Sequence, residues 1–249
     1  MGFCEGLENP YQEFGSNTKQ DQFNKRFNEK AAGYIAGELL PRLCSIFAVC
    51  PQVTAAIDTR DAQAIEVAYP AAFSETYLRP NVRLEIGPLA SWVPPAPHVI
   101  RPHYAADVFP ELFADPACPV VAIAAERTFW EKATILHQQA HRTGVMPPRY
   151  SRHYYDLHRL ARSPVKDAAL HAWDLLRDVV EFKQRFYPCG WANYEQARPG
   201  TFKLMPGAPH RRDLEKDYDA MRVMIFGEVP QFARIIETLA GLEEAINHK

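Results

Sequence analysis

Two charged residues lie close to the apolar stripes of two adjacent predicted helices, Lys132 in the first and Asp156 in the second. Charges in such positions are either paired structural groups or members of a site. Phosphoryl-group transfer needs both kinds of side chain, because carboxylates bind Mg²⁺ and a cation contacts the phosphate oxygens. A salt bridge between Lys132 and Asp156 without catalysis is the alternative, and spacing alone favours it.

The elements that carry these charges are predicted over residues 125–160. Apolar residues recur at helical spacing on both sides of a turn that contains Gly144, Pro147 and Pro148, and these residues do not continue a helix. The same stretch is locally basic, with seven Lys or Arg side chains against three acidic ones between residues 126 and 162, in a chain of net charge −2. Four of the nine histidines also lie there. This pattern indicates an anionic ligand, a nucleotide phosphate or an RNA strand, or else a solvated helical face.

The composition limits the class of protein. A chain of 249 residues forms one large domain or two small ones, and no apolar run reaches the roughly 18 residues that span a bilayer. With no signal sequence at residues 1–10, the expected location is the cytoplasm. The five cysteines include no C-x-x-C pair, which favours reduced thiols over disulfides or a zinc site. Phosphate-loop, dinucleotide-binding, zincin and serine-hydrolase motifs are absent from the sequence.

The remaining pattern predicts a mixed sheet with helices, followed by a helical C-terminal half. Glu85 falls on the polar face of a predicted strand at 82–86, where it either binds a metal or pairs with Arg83 or Arg101. In the long loop at 187–210, aromatic side chains either stack on a base or close over a core; they are Trp191, Tyr194 and Phe202. The other predicted elements are a helix at 22–49 bent at Pro41, strands at 53–58, 64–69 and 120–124, and helices at 165–186, 212–226 and 229–247.

Three runs, in this order, carry a resemblance to a known family. They are YLRPNVRLEIG at 77–87, ERTFWEKATILH at 126–137 and RYSRHYYDL at 149–157, followed by DVVEFKQRFY at 178–187. Together they resemble the AbiEii/AbiGii type of nucleotidyltransferase toxin over nearly the whole chain. The resemblance implies an α+β fold, with a partial polymerase-beta-like nucleotidyltransferase region at 1–124 and a helical region at 125–249. It also implies a toxin of a toxin–antitoxin or phage-defence system, with an AbiEi-like protein antitoxin, that uses Mg²⁺ to transfer nucleotides from an NTP to RNA, most simply tRNA.

The resemblance also implies roles for individual residues. Lys132 matches the lysine that contacts the nucleotide phosphates, and Asp156 matches the essential acidic residue of the last motif, a catalytic and metal-binding group. Glu85 matches a carboxylate near the metal. The arginines beside these motifs are expected to hold substrate, and they are Arg127, Arg149 and Arg152.

One departure from the family pattern concerns the N-terminus. The family places a Gly-Gly/Ser turn and an Asp-x-Asp-like pair before the first long helix, and Gly15-Ser16 is not followed by such a pair. We therefore expect this chain to lack the family's N-terminal segment and to be inactive alone. The alternative function is that of a non-catalytic remnant that binds RNA or the antitoxin.

Overall fold

The N-terminal helix begins where the side chain of Ser16 accepts a hydrogen bond from the backbone N–H of Lys19. Helix α1 (Asn17–Tyr34) continues through a π-helical turn (Ile35–Leu39) into α2 (Leu40–Phe47). The irregular turn ends just before Pro41, which has no N–H to donate to the preceding turn. The long helix interrupted near Pro41 is thus confirmed, although it begins at Asn17, before the predicted start at residue 22.

Three strands form an antiparallel sheet in the same part of the chain. Strands β1 (Thr54–Asp58), β2 (Asp61–Ala68) and β3 (Asn81–Glu85) lie in the order β1-β2-β3. The two-residue connection between β1 and β2 forces an antiparallel hairpin. The buried face of this sheet packs with apolar side chains of α2 and the π-helical turn to form a hydrophobic cluster. The most buried residues of this cluster are Ile35 of the π-helical turn and Ile65 and Val67 of β2.

A second, two-stranded sheet pairs β4 (Pro95–Ile100) with β5 (Cys118–Ile123), again antiparallel. Strand β4 is absent from the sequence prediction because its prolines suggest a connecting segment. Pro95 and Pro97 are two residues apart, so both missing N–H groups fall on one edge, and a two-stranded sheet tolerates this. All strand pairs in the described ranges are antiparallel, whereas the sequence predicts a mixed sheet.

The C-terminal half is helical, as the sequence predicts. Helices α3 (Ala125–Ala140) and α4 (Ser151–Ala161) pack against each other, α3 also packs against α5 (Val165–His171) and α6 (Trp173–Phe186), and α4 packs against α7 (Ala208–Met221) and α8 (Phe232–Asn247). The predicted single helix at 165–186 is therefore two helices. The two helices are separated at Ala172, next to a tertiary contact. The indole N–H of the fully buried Trp130 donates to the Ala169 carbonyl at 3.2 Å.

This computed structural model describes residues 15–72, 77–89, 94–102, 107–112 and 117–248. Two units are distinguished, Met1–Ala90 and Ser91–Lys249. The α+β class is confirmed. Within the described ranges, no helix is long and apolar enough to cross a membrane. The four described cysteines are all free thiols, while Cys4 lies outside those ranges.

Candidate active site

The two residues singled out by the sequence form an ion pair between neighbouring helices. Lys132 lies near the middle of α3 and Asp156 near the middle of α4, and the lysine Nζ is 2.7 Å from the carboxylate Oδ2. The side chains are 23% and 39% exposed, so the pair lies at the edge of the helical packing and is open to solvent. Such a position allows a dissolved anion to reach the ammonium group.

A second acceptor for Lys132 comes from His153, one turn before Asp156 on the same face of α4. The Nδ1 atom of this largely buried imidazole is 3.2 Å from the lysine Nζ. Burial, with the positive charge of Lys132, lowers the pKa of His153 to about 3, so the ring is neutral at pH 7. Nδ1 therefore accepts from the ammonium, and the ring proton lies on Nε2. The Tyr150 ring packs edge-on against this imidazole at 5.1 Å between centroids.

The sequence prediction did not include His153, although the i, i+3 spacing to Asp156 places both on one helix face. The lysine ammonium has three N–H groups, and Asp156 and His153 take two of them. The chain thus orients Lys132 through two acceptors on one side and leaves one N–H for a further acceptor.

The N-terminus of α4 is fixed by a carboxylate from another helix. Asp217 of α7 accepts the backbone N–H of Arg149 at 2.7 Å, and its other oxygen accepts the backbone N–H of Ser151 at 2.9 Å and the Ser151 hydroxyl at 2.5 Å. Arg149 has φ +65, in the left-handed region that is costly for a residue with a side chain, and these hydrogen bonds offset that cost. Helix α4 therefore presents His153 and Asp156 from a firmly held first turn.

The predicted arginines occupy different environments. The Arg127 side chain is 3% exposed, its Nε is 3.0 Å from Glu131 Oε1, and its guanidinium lies 5.8 Å from the centre of the Phe182 ring. Arg149 is half-buried at the start of α4, and Arg152 is exposed on its first turn. Among the described residues, no carboxylate lies within 4.0 Å of Arg152. Of the three, only Arg152 is exposed to a solvent-borne anion; the substrate-binding role of all three stays a prediction.

Glu85, the predicted metal ligand of the sheet, lies in the first unit at the end of β3. Its Oε1 is 3.0 Å from Arg83 Nε, and Arg83 also contacts Asp58, Asp61 and Glu66. In the described ranges, no group of three or more His, Cys, Asp or Glu side chains is arranged to hold a metal. Glu85 thus forms the pair with Arg83 that the sequence offered as its alternative, and a metal-binding role stays a prediction.

The far end of α3 is tied to the aromatic loop through two histidines. His137, which is fully buried, receives the backbone N–H of Lys203 on Nδ1 at 3.1 Å and donates from Nε2 to the Asn193 carbonyl at 3.0 Å. The Asn193 side chain then donates to His141 Nδ1 at 2.9 Å. Asn193 adopts the left-handed conformation with φ +49. The loop is therefore fastened to the helix that carries Lys132.

The three loop aromatics divide between the two alternatives. Tyr194 and Phe202 are buried, at 5% and 1% exposure, and belong to the core. Trp191 is 42% exposed, and the Arg142 guanidinium lies 4.6 Å from its ring centre. Closing over a core therefore accounts for two of the three, and Trp191 stays available for contact with a ligand.

The site consists of a solvent-open ammonium held by a carboxylate and a neutral imidazole, on two facing helices of an α+β protein, within a basic stretch. This set of groups suits a protein that binds phosphates. A family model described as the nucleotidyl transferase AbiEii toxin of type IV toxin–antitoxin systems matches residues 11–241. The chain belongs to this family. Comparison with curated proteins and with solved structures gave no match.

Proposed function

We propose that the chain transfers a nucleotide from an NTP to an RNA, with tRNA as the expected acceptor. Absence of transfer by the wild-type chain would instead support the inactivity expected from its missing Asp-x-Asp-like pair. The chain acts in the cytoplasm of a bacterium, as the toxin opposed by an AbiEi-like protein antitoxin, in phage defence. Family membership supports the reaction class and the toxin–antitoxin setting. The observation that carries the proposal for these residues is the Lys132 ammonium, oriented by Asp156 and His153 and still open to solvent.

The reaction requires an RNA hydroxyl oxygen to form a bond to the α-phosphorus of the NTP. The bond from that phosphorus to the bridging oxygen of the β-phosphate breaks, pyrophosphate leaves, and the hydroxyl proton passes to solvent or a base. Negative charge accumulates on the phosphate oxygens during this exchange. Lys132 stabilises that charge through its remaining N–H, and it does so without a large rearrangement because Asp156 and His153 already hold it.

Mg²⁺ is the expected cofactor. Asp156 fits the role of a single carboxylate ligand, because only Oδ2 is engaged by Lys132 and the side chain is 39% exposed. Mg²⁺ is commonly held by one or two carboxylates plus water and substrate phosphates. Glu85 is proposed separately, as a metal-binding carboxylate of a nucleotidyltransferase-like, polymerase-beta-like region at 1–124. When bound, the ion would neutralise charge on the triphosphate.

The test is a transfer assay with total tRNA, Mg²⁺ and each labelled NTP in turn, paired with calorimetric titration of the same NTPs. Lys132→Ala is expected to weaken NTP binding by about ten-fold or more, since it removes a charge-assisted hydrogen bond. Asp156→Asn is expected to abolish transfer. The matched controls are Lys216→Ala and Asp213→Asn, which remove the same charges from exposed positions on α7.

Two results would separate this proposal from its alternatives. Wild-type NTP affinity in Lys132→Ala would refute the assignment of the site. RNA binding that falls steeply with salt, without transfer of any labelled NTP, would instead support a non-catalytic RNA-binding or antitoxin-binding protein.

A further inference from the structure

Lys183 reaches the candidate site from a third helix. It lies on α6, which packs against α3, and its Nζ donates to the backbone carbonyl of Glu131 at 3.2 Å. Glu131 is the residue immediately before Lys132. The ammonium of Lys183 is therefore anchored to the same turn of α3 that carries the proposed phosphate-binding lysine.

The charge of Lys183 has little compensation in the protein. In the part of the chain that the structure describes, the Glu131 carbonyl is its single hydrogen-bond acceptor, and no carboxylate oxygen lies within 4.0 Å of its Nζ. The nearby carboxylate of Glu131 is engaged by Arg127 at 3.0 Å. Burial, opposed by the charge of Glu131 and assisted by that of Lys132, lowers the pKa of Lys183 to about 8.

Lys183 therefore differs from Lys132, whose ammonium has the Asp156 carboxylate as a partner. Holding a half-buried ammonium beside another cation costs free energy, and one neutral carbonyl offsets only part of that cost. Two of the three N–H groups of Lys183 have no acceptor among the described residues. An anion that binds at Lys132 would also supply acceptors and countercharge to Lys183.

We propose that Lys183 is a second phosphate-binding residue and that, with Lys132, it binds the triphosphate chain of the nucleotide. A triphosphate presents anionic oxygens along an extended chain, so two ammonium groups from different helices contact different phosphates. This inference rests on the proposed function, because it takes the nucleotide site to be at Lys132. The sequence analysis assigns no role to Lys183, which lies within the run DVVEFKQRFY that contributes to the family resemblance.

A purely structural role for Lys183 predicts a different effect of substitution on phosphate affinity. If its only task were to clamp α6 onto α3 through the Glu131 carbonyl, an apolar side chain of similar length would leave phosphate affinity unchanged. Replacing a poorly compensated buried charge by an apolar group is often neutral or stabilising. The variant Lys183→Met therefore separates the two roles, and Lys183→Arg tests whether a cation alone is sufficient.

The experiment is calorimetric titration of the full chain with inorganic triphosphate, with an NTP and Mg²⁺, and with an RNA oligonucleotide, at pH 7. Lys183→Met is expected to weaken binding of inorganic triphosphate and of the NTP by about ten-fold or more, while Lys183→Arg recovers most of the affinity. The control Lys216→Met, an exposed lysine on α7, is expected to bind like wild type. Thermal melting without ligand is expected to show Lys183→Met as stable as wild type or more so.

The outcomes keep the two proposals apart. If Lys132→Ala loses triphosphate affinity and Lys183→Met keeps it, the inference about Lys183 is refuted and the proposed function stands. If neither substitution changes triphosphate affinity, the proposed nucleotide site itself is refuted. Loss of RNA binding alone in Lys183→Met also overturns the inference, because it assigns Lys183 to the acceptor strand.

Should Lys183→Met fail to fold, chemical labelling of the wild-type chain tests the same proposal. Acetic anhydride labels lysine amines, and mass spectrometry gives the labelling rate of Lys183 with and without inorganic triphosphate. Protection of Lys183 and Lys132 together, relative to Lys216, supports the proposal. Unchanged labelling of Lys183 at saturating triphosphate refutes it.

Discussion

The environment of the buried His137 predicts how much the free energy of unfolding changes in mild acid. Its Nδ1 accepts from the backbone N–H of Lys203 and its Nε2 donates to the Asn193 carbonyl, so the two hydrogen bonds select the neutral ring with its proton on Nε2. A second proton would place a donor against the Lys203 N–H and a charge in the core. Burial therefore lowers the pKa of His137 from 6.5 to about 4, against the opposing effect of the Asn193 carbonyl.

The free energy of unfolding must fall as the pH drops from 6.5 to about 4. Between pH 6.5 and pH 4 the unfolded chain binds a proton at His137 and the folded chain does not, so the free energy of unfolding decreases with decreasing pH. With these two pKa values, the contribution of His137 between pH 7 and pH 5 is about 1.8 kcal/mol. His137→Gln removes this term, because the glutamine amide can accept from Lys203 and donate to Asn193 without titrating.

The assay is urea unfolding of both proteins at pH 7 and pH 5, followed by tryptophan fluorescence. All four tryptophans follow residue 90 and report on the second unit, which contains His137. The difference in free energy of unfolding between wild type and His137→Gln is expected to shift by about 1.8 kcal/mol in favour of the variant from pH 7 to pH 5. A pH-independent difference would refute the reasoning, because it would mean that His137 titrates alike in the folded and unfolded chains.

Two further substitutions test the packing around the site and the sheet of the first unit. Asp217→Ala is expected to lower the free energy of unfolding by about 2 to 3 kcal/mol, since it leaves two backbone N–H groups and the Ser151 hydroxyl without their acceptor. It is also expected to weaken NTP binding, because α4 loses part of its support. A loss below about 0.5 kcal/mol in urea unfolding would contradict this. Arg83→Met is expected to lower hydrogen-exchange protection in β1–β3 at pH 7, because four carboxylates lose their shared cation. The backbone N–H of Arg60, and then Arg83, lower the pKa of Asp58, so the effect of the substitution should shrink as acid protonates that carboxyl; equal effects at pH 7 and below pH 3.8 would contradict it.

Local pattern was sufficient for much of the framework. The helix pair around Gly144, the long N-terminal helix with an irregularity near Pro41, and the first hairpin all follow from apolar periodicity and turn residues, which depend on neighbours a few positions away. Strand β4 was missed for the same reason, because two prolines suppress a strand signal locally, and only pairing with β5 shows that the edge tolerates them.

The sequence by itself determined that Lys132 and Asp156 are unusual charges on two helices in a basic stretch, and its motifs indicated the family that the comparison shows. Only the tertiary structure decided which groups meet. Packing of α3, α4 and α6 brings His153 and Lys183 to the turn that carries Lys132, and turns Arg127 toward Phe182 in the interior. Contacts between residues 21 to 55 positions apart depend on how helices pack and rotate against each other, which no local periodicity encodes.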